Sequence, residues 1–172
     1  MKKVQTLLLL VLTFSIYSCK SNNQEDKINE TIAKEVAKAD LTLNEGEGKT
    51  GTFSTENSNF NGKTSTQFLG DKTKDQFSVV CQQDEPFTML QITFANKAAA
   101  TGNLKPAEGF YSMEPGEAHI SLSGSSIGNS EFVTNDNSSG SITVKGSDII
   151  LKDLKLFNND GASKVVNANI QF

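Results

Sequence analysis

From Gly140 to Phe172 the chain reads GSITVKGSDIILKDLKLFNNDGASKVVNANIQF. Ile142 and Val144 alternate with Ser141, Thr143 and Lys145, and Val166, Ala168, Ile170 and Phe172 alternate with Asn and Gln. A period of two sends successive side chains to opposite faces, so each run reads as a strand with one apolar and one polar face. Between these runs, Asp148–Phe157 does not hold one phase. Ile149 and Leu151 point opposite to Leu154 and Leu156, and a bulge near Lys152–Asp153 reconciles them. Lys145-Gly146-Ser147 is a short hairpin, and Asp160-Gly161 suits a type I′ turn. The three strands therefore form an antiparallel meander.

The same texture extends back to Leu41 as short alternating runs separated by Gly, Asn, Asp and Ser clusters. It predicts strands at Leu41–Asn44, Thr50–Glu56, Thr64–Leu69, Gln76–Gln82, Thr88–Ala95, Phe110–Met113, His119–Ser123 and Glu131–Thr134. Asn61-Gly62 predicts a type I′ hairpin, and Asn96 to Glu108 a long crossover between two sheets. The expected fold is all-β: an antiparallel β-sandwich or partly closed barrel of about ten strands over residues 41–172. An outer-membrane barrel is rejected, because the strands are short, the outward positions are polar and there is no aromatic girdle.

Residues 1–40 differ in kind. Lys2 and Lys3 precede the apolar run Leu7–Leu12, which Phe14 and Ile16 extend. This is the layout of an export signal, too short for a permanent span. Ile16-Tyr17-Ser18-Cys19 resembles the lipobox of bacterial lipoproteins, with Ile16 and Ser18 carrying the match. The resemblance implies cleavage of the signal, residues 1–18, and acylation of Cys19 by diacylglycerol. One acyl chain anchors only marginally, whereas two hold. Residues 19–40 follow as a polar tether and a short helix at Asp26–Asp40. There Ile28, Ile32 and Val36 recur every four residues, and Glu30 and Lys34 are placed to pair.

Composition narrows the function. All 20 acidic residues lie after the signal, and 14 of the 16 basic residues do, so the mature balance is 14 − 20 = −6. All the basic residues are lysine, and there is no Trp. Without Arg the chain lacks the fork that reads phosphates and base edges, and an acidic surface repels nucleic acid, so no nucleic-acid partner is expected. With Cys19 acylated, Cys81 is left alone, and its alternation with Phe77 and Val79 places it in the core.

Several constellations bear on chemistry. Glu117 and His119 share a face of one strand and are the weak metal candidates, but zinc wants three or four ligands and there is no second His. Asn135, Asn137 and Ser139 echo the odd-position spacing of a calcium loop, but Gly146 stands where its closing Glu belongs. Asp84-Glu85 pairs two carboxylates on a turn, where adjacent residues cannot flank a substrate. No phosphate loop or nucleophile elbow is present, so neither a catalytic residue nor a cofactor is expected.

Phe87 to Phe172 resembles a module of small Bacteroidota lipoproteins in FTMLQITFA, Pro106, GFYSM at Gly109–Met113, AHISLSG and SSGSITVKGSDIILKDLKLFNNDG. That resemblance implies an extracytoplasmic β-sandwich without a catalytic motif. The expectation is a lipid-anchored, non-enzymatic binding or assembly module of the outer membrane, on its periplasmic or cell-surface side. Its partners would be the membrane, through the anchor, and a protein or glycan. The alternatives are a lipocalin-like carrier of an apolar ligand and a small carboxylate-based hydrolase.

Overall fold

The computed structural model describes residues 44–69 and 76–172. The export signal, Cys19, the tether, the Asp26–Asp40 helix and nearly all of the Leu41–Asn44 strand lie outside the described residues. Ten strands follow in order: β1 (Asn44–Thr55), β2 (Ser58–Phe68), β3 (Phe77–Gln83), β4 (Thr88–Phe94), β5 (Gly102–Pro106), β6 (Glu117–Gly124), β7 (Phe132–Val133), β8 (Ser141–Lys145), β9 (Asp148–Phe157) and β10 (Ser163–Gln171).

They form one continuous sheet. Its order runs β10-β1-β2-β3-β4-β6-β5-β8-β9, and β9 pairs back onto β10, so nine strands close into a barrel. Of the two expected architectures, the barrel is the one present. The space between β6 and β9 is filled at two levels. At one, β5 pairs with β6 in parallel and β8 joins β5 to β9. At the other, short β7 alone bridges β6 and β9. Closure removes the free edges that would otherwise invite pairing with another chain.

The C-terminal meander is as read, with β8, β9 and β10 paired in succession. The bulge is where the phase break put it: Val166 faces Leu154 but Ala168 faces Leu151, leaving Lys152 and Asp153 opposite Asn167. Asp153 takes a positive φ of 51°, and its N–H donates to Asn167 Oδ1 at 2.9 Å. The extra residue turns the strand over mid-course, so Ile149, Leu151, Leu154 and Leu156 are all buried.

Four expectations are corrected. Asn61-Gly62 is not a turn but lies inside β2, and the chain reverses at Glu56-Asn57, between the paired Thr55 and Ser58. Gly62 is required there for close approach: a Cβ would lie 2.7 Å from the Gln82 carbonyl and 2.8 Å from Cys81 Sγ. The Asn96–Glu108 crossover does not change sheets; it contains β5 and passes β6 within one sheet. Phe110–Met113 is not a strand. Asp160-Gly161 is not a type I′ turn, since only Gly161 has positive φ, and a wider turn is closed by Asn158 N–H to the Ala162 carbonyl.

Inward side chains from the strands make one contiguous apolar cluster that includes Phe53, Phe60, Leu90, Ile92, Ile120 and Ile149. At one end, Phe77 packs against Phe68, Phe94 and Phe172 with centroids 5.1, 6.1 and 5.6 Å apart. Lys97 Nζ lies 5.8 Å from the Phe77 centroid and 5.9 Å from that of Phe68, adding a cation over the rings. Phe77 and Phe94 are fully buried, which contributes about 1.5–3 kcal/mol each, while Phe68 and Phe172 are partly buried against them.

Candidate functional site on the outer wall of β10, β1 and β2

Inward and outward positions alternate, so register dictates what the outer wall presents. Thr52 faces Asn169 on one side and Asn61 on the other; Ser54 faces Asn167 and Asn59. The outside of β10-β1-β2 therefore carries two cross-strand rows, Asn169–Thr52–Asn61 and Asn167–Ser54–Asn59. Members of a row are about 4.8 Å apart, and the rows are about 6.7 Å apart along the strands. All six side chains line a depression of about 400 Å³. A second depression of about 350 Å³ adjoins it through Thr52 and Asn61 and is bordered by Lys63, Gln82, Gln83 and Asp84. Among the described residues, the side chains of Asn59, Asn61 and Asn169 make no internal hydrogen bond, whereas Asn167 is engaged by the bulge.

The wall of β3, β4 and β6 is built differently. Ser78, Thr93 and His119 form a row by register. Ser78 Oγ and Thr93 Oγ1 lie 2.9 Å apart, and Gln91 Nε2 donates to both. His119 Nδ1 is 3.2 Å from Thr134 Oγ1, and the Phe110 ring meets the imidazole edge-on at 5.8 Å. Burial lowers the His119 pKa from its ordinary value, opposed by the Ala107 backbone and the charge of Glu131. Burial thus favours the neutral imidazole.

The metal candidates do not converge. Glu117 Oε2 accepts from the Glu114 N–H at 3.1 Å, while His119 is turned to Thr134. Among the described residues, no three His, Cys, Asp or Glu side chains gather at one place. Asp84 accepts from Gln82 Nε2 at 2.8 Å on an exposed turn beside Glu85. Asn135 Oδ1 accepts from the Asn137 N–H at 2.9 Å, and Ser138 Oγ from the Asn135 N–H, so that loop's polar groups serve its own backbone.

Cys81 is buried where Gly51 and Gly62 pair across β1 and β2. Burial pushes its thiol up to about 11, against hydrogen bonds with the Gly62 and Gly51 backbone. It is a core thiol and a poor nucleophile at neutral pH. Thr64, paired with Cys81, buries its hydroxyl with no partner among the described residues.

The sequence reading missed the two rows. Their signal is visible in Thr52-Phe53-Ser54, Asn59-Phe60-Asn61 and Asn167-Ala168-Asn169, three tripeptides with a buried centre and polar flanks. Only register brings them side by side, and the expected turn at Asn61-Gly62 concealed one of them. No protein-family model, curated protein or solved structure matches the chain. The fold defines an all-β, closed barrel with a packed interior and an uncharged polar hollow on its outside.

Proposed function

We propose that the protein is a non-enzymatic, lipid-anchored envelope module that binds or assembles with a partner through the outer wall of β10, β1 and β2. Cys19 carries the acyl chains and holds the domain at the outer membrane. The observation behind this reading is the contrast between inside and outside. Inside, Phe53, Phe60, Leu90, Ile92 and Ile120 occupy the barrel, which weighs against a lipocalin-like carrier of an apolar guest. Outside, Asn59, Asn61 and Asn169, whose side chains have no partner among the described residues, help to line a hollow. Of the carboxylate pair considered for a hydrolase, Asp84 accepts from Gln82 on an exposed turn beside Glu85.

Two measurements test this. Metabolic labelling with a palmitate analogue should mark the native chain and fail on Cys19→Ser; label retained by Cys19→Ser overturns the anchor. Affinity capture from membranes should recover a partner with the native chain and lose it with Asn61→Ala/Asn169→Ala. Equal recovery by both, or recovery by neither, removes the wall from the proposal.

A further inference from the structure

We infer that the rows Asn169–Thr52–Asn61 and Asn167–Ser54–Asn59 form a binding site for a neutral glycan, a run of sugar rings bearing hydroxyls and no charge. The inference rests on the binding-module reading and names its ligand class.

The backbone of this wall is already used. β1 is paired on both sides, by β10 and β2. A peptide therefore cannot add as a new strand there, and recognition falls to the side chains. Those side chains are amides and hydroxyls, each able to donate and accept, as sugar hydroxyls do. The wall thus matches a partner whose hydroxyls project in pairs along a chain. It does not match a phosphate or carboxylate, which would call for cations within the rows. The nearest ionisable groups in the two hollows, Lys63 and Asp84, border the adjoining one.

Phe53, Phe60, Leu151 and Ala168 border the same depression but turn their side chains into the barrel, so the hollow offers a ligand amides and hydroxyls rather than apolar surface. The volume, about 400 Å³, is that of a small-ligand cleft. Asn59, Asn61, Thr52 and Asn169 are exposed, so they meet a ligand without opening the barrel. The Asp153 N–H fixes Asn167 Oδ1, leaving its NH₂ to point at a ligand from a set position.

The test is nuclear magnetic resonance titration of the isotope-labelled full chain with maltohexaose, mannohexaose and chitohexaose, and with polygalacturonate as the charged counterpart. At least one neutral oligomer should give saturable shifts confined to β10, β1 and β2, including the side-chain NH₂ signals of the four asparagines. Asn61→Ala/Asn169→Ala should weaken that binding about tenfold or more, since each lost hydrogen bond is worth about 0.5–1.5 kcal/mol. Lys105→Ala, at an exposed site on β5, should leave it unchanged. Shifts with polygalacturonate alone, shifts elsewhere, or affinity untouched by the double variant would each overturn the assignment. Silence with every glycan also overturns it. If membrane capture still recovers a partner in a wall-dependent way, only the ligand class falls; if it does not, the binding-module reading falls as well.

Discussion

Two of the polar rows on the outside of this barrel have opposite fates. Ser78–Thr93–His119 is closed: its hydroxyls bond each other, Gln91 bonds both, and Phe110 packs on the imidazole. Asn169–Thr52–Asn61 is open, exposed along its length, with two amides that no described residue engages. The strands differ beneath as well. β3 and β4 carry Phe77, Val79, Leu90, Ile92 and Phe94 inward, whereas β1 and β2 meet at the bare pair Gly51 and Gly62. The lesson is that an outward polar residue is not informative by itself. What distinguishes structure from availability is whether its hydrogen-bonding capacity is already spent inside the fold.

The contrast can be broken most forcefully from beneath. Gly62→Val would drive side-chain carbon into the Gln82 carbonyl and Cys81 Sγ. Overpacking against backbone should cost about 3 kcal/mol and appear as a fall in the urea midpoint. A loss as small as that of an exposed substitution would mean that β1 and β2 are not pinched there.

Next comes the comparison of the two rows. Ser78→Ala leaves Thr93 and Gln91 short of a partner in a buried setting and should cost about 1–3 kcal/mol. Asn61→Ala, on the open row, should stay within about 0.5 kcal/mol of the native chain. Equal losses in the same denaturation experiment would erase the distinction between the walls.

Thr64→Val sharpens the picture of the seam between them. It keeps the shape and removes a buried hydroxyl with no partner among the described residues, so stability should rise by about 1 kcal/mol. A decrease would show that the hydroxyl is satisfied in solution, for instance by a buried water.

The smallest effect is that of pH. His119 has a folded pKa below its ordinary 6.5, so the unfolded chain takes up the proton first. Its contribution is complete above pH 6.5 and is lost as pH falls through the folded pKa. The closed row should therefore loosen in mild acid while the open row is indifferent. His119→Gln should flatten this part of the stability–pH curve, and a curve of unchanged slope would remove His119 as its source.

The chain's own pattern made much of this legible. Alternation at Ile142–Val144 and Val166–Phe172 specified the meander, because a period of two has one structural meaning. The phase break in Asp148–Phe157 located the bulge at Lys152–Asp153, because four apolar residues can share one side only if a residue is inserted between the pairs. Cys81 was readable as core from its alternation with Phe77 and Val79. Asn61-Gly62 misled because glycine serves both turns and close approach, and which one applies depends on what lies above it. Strand β5, in GNLKP, has too little alternation to announce itself and exists because β6 and β8 lie beside it.

Sequence by itself thus determined the fold class, the inward set of residues and the absence of Arg and Trp from any recognition surface. Only tertiary structure decided that the sheet closes into a barrel and which polar residues are neighbours. The reason is physical: facing is a local property, written every second residue, while closure and register depend on pairing between distant strands. Thr52 and Asn169 are 117 positions apart in the chain, and a shift of one residue in β10 would turn its asparagines inward.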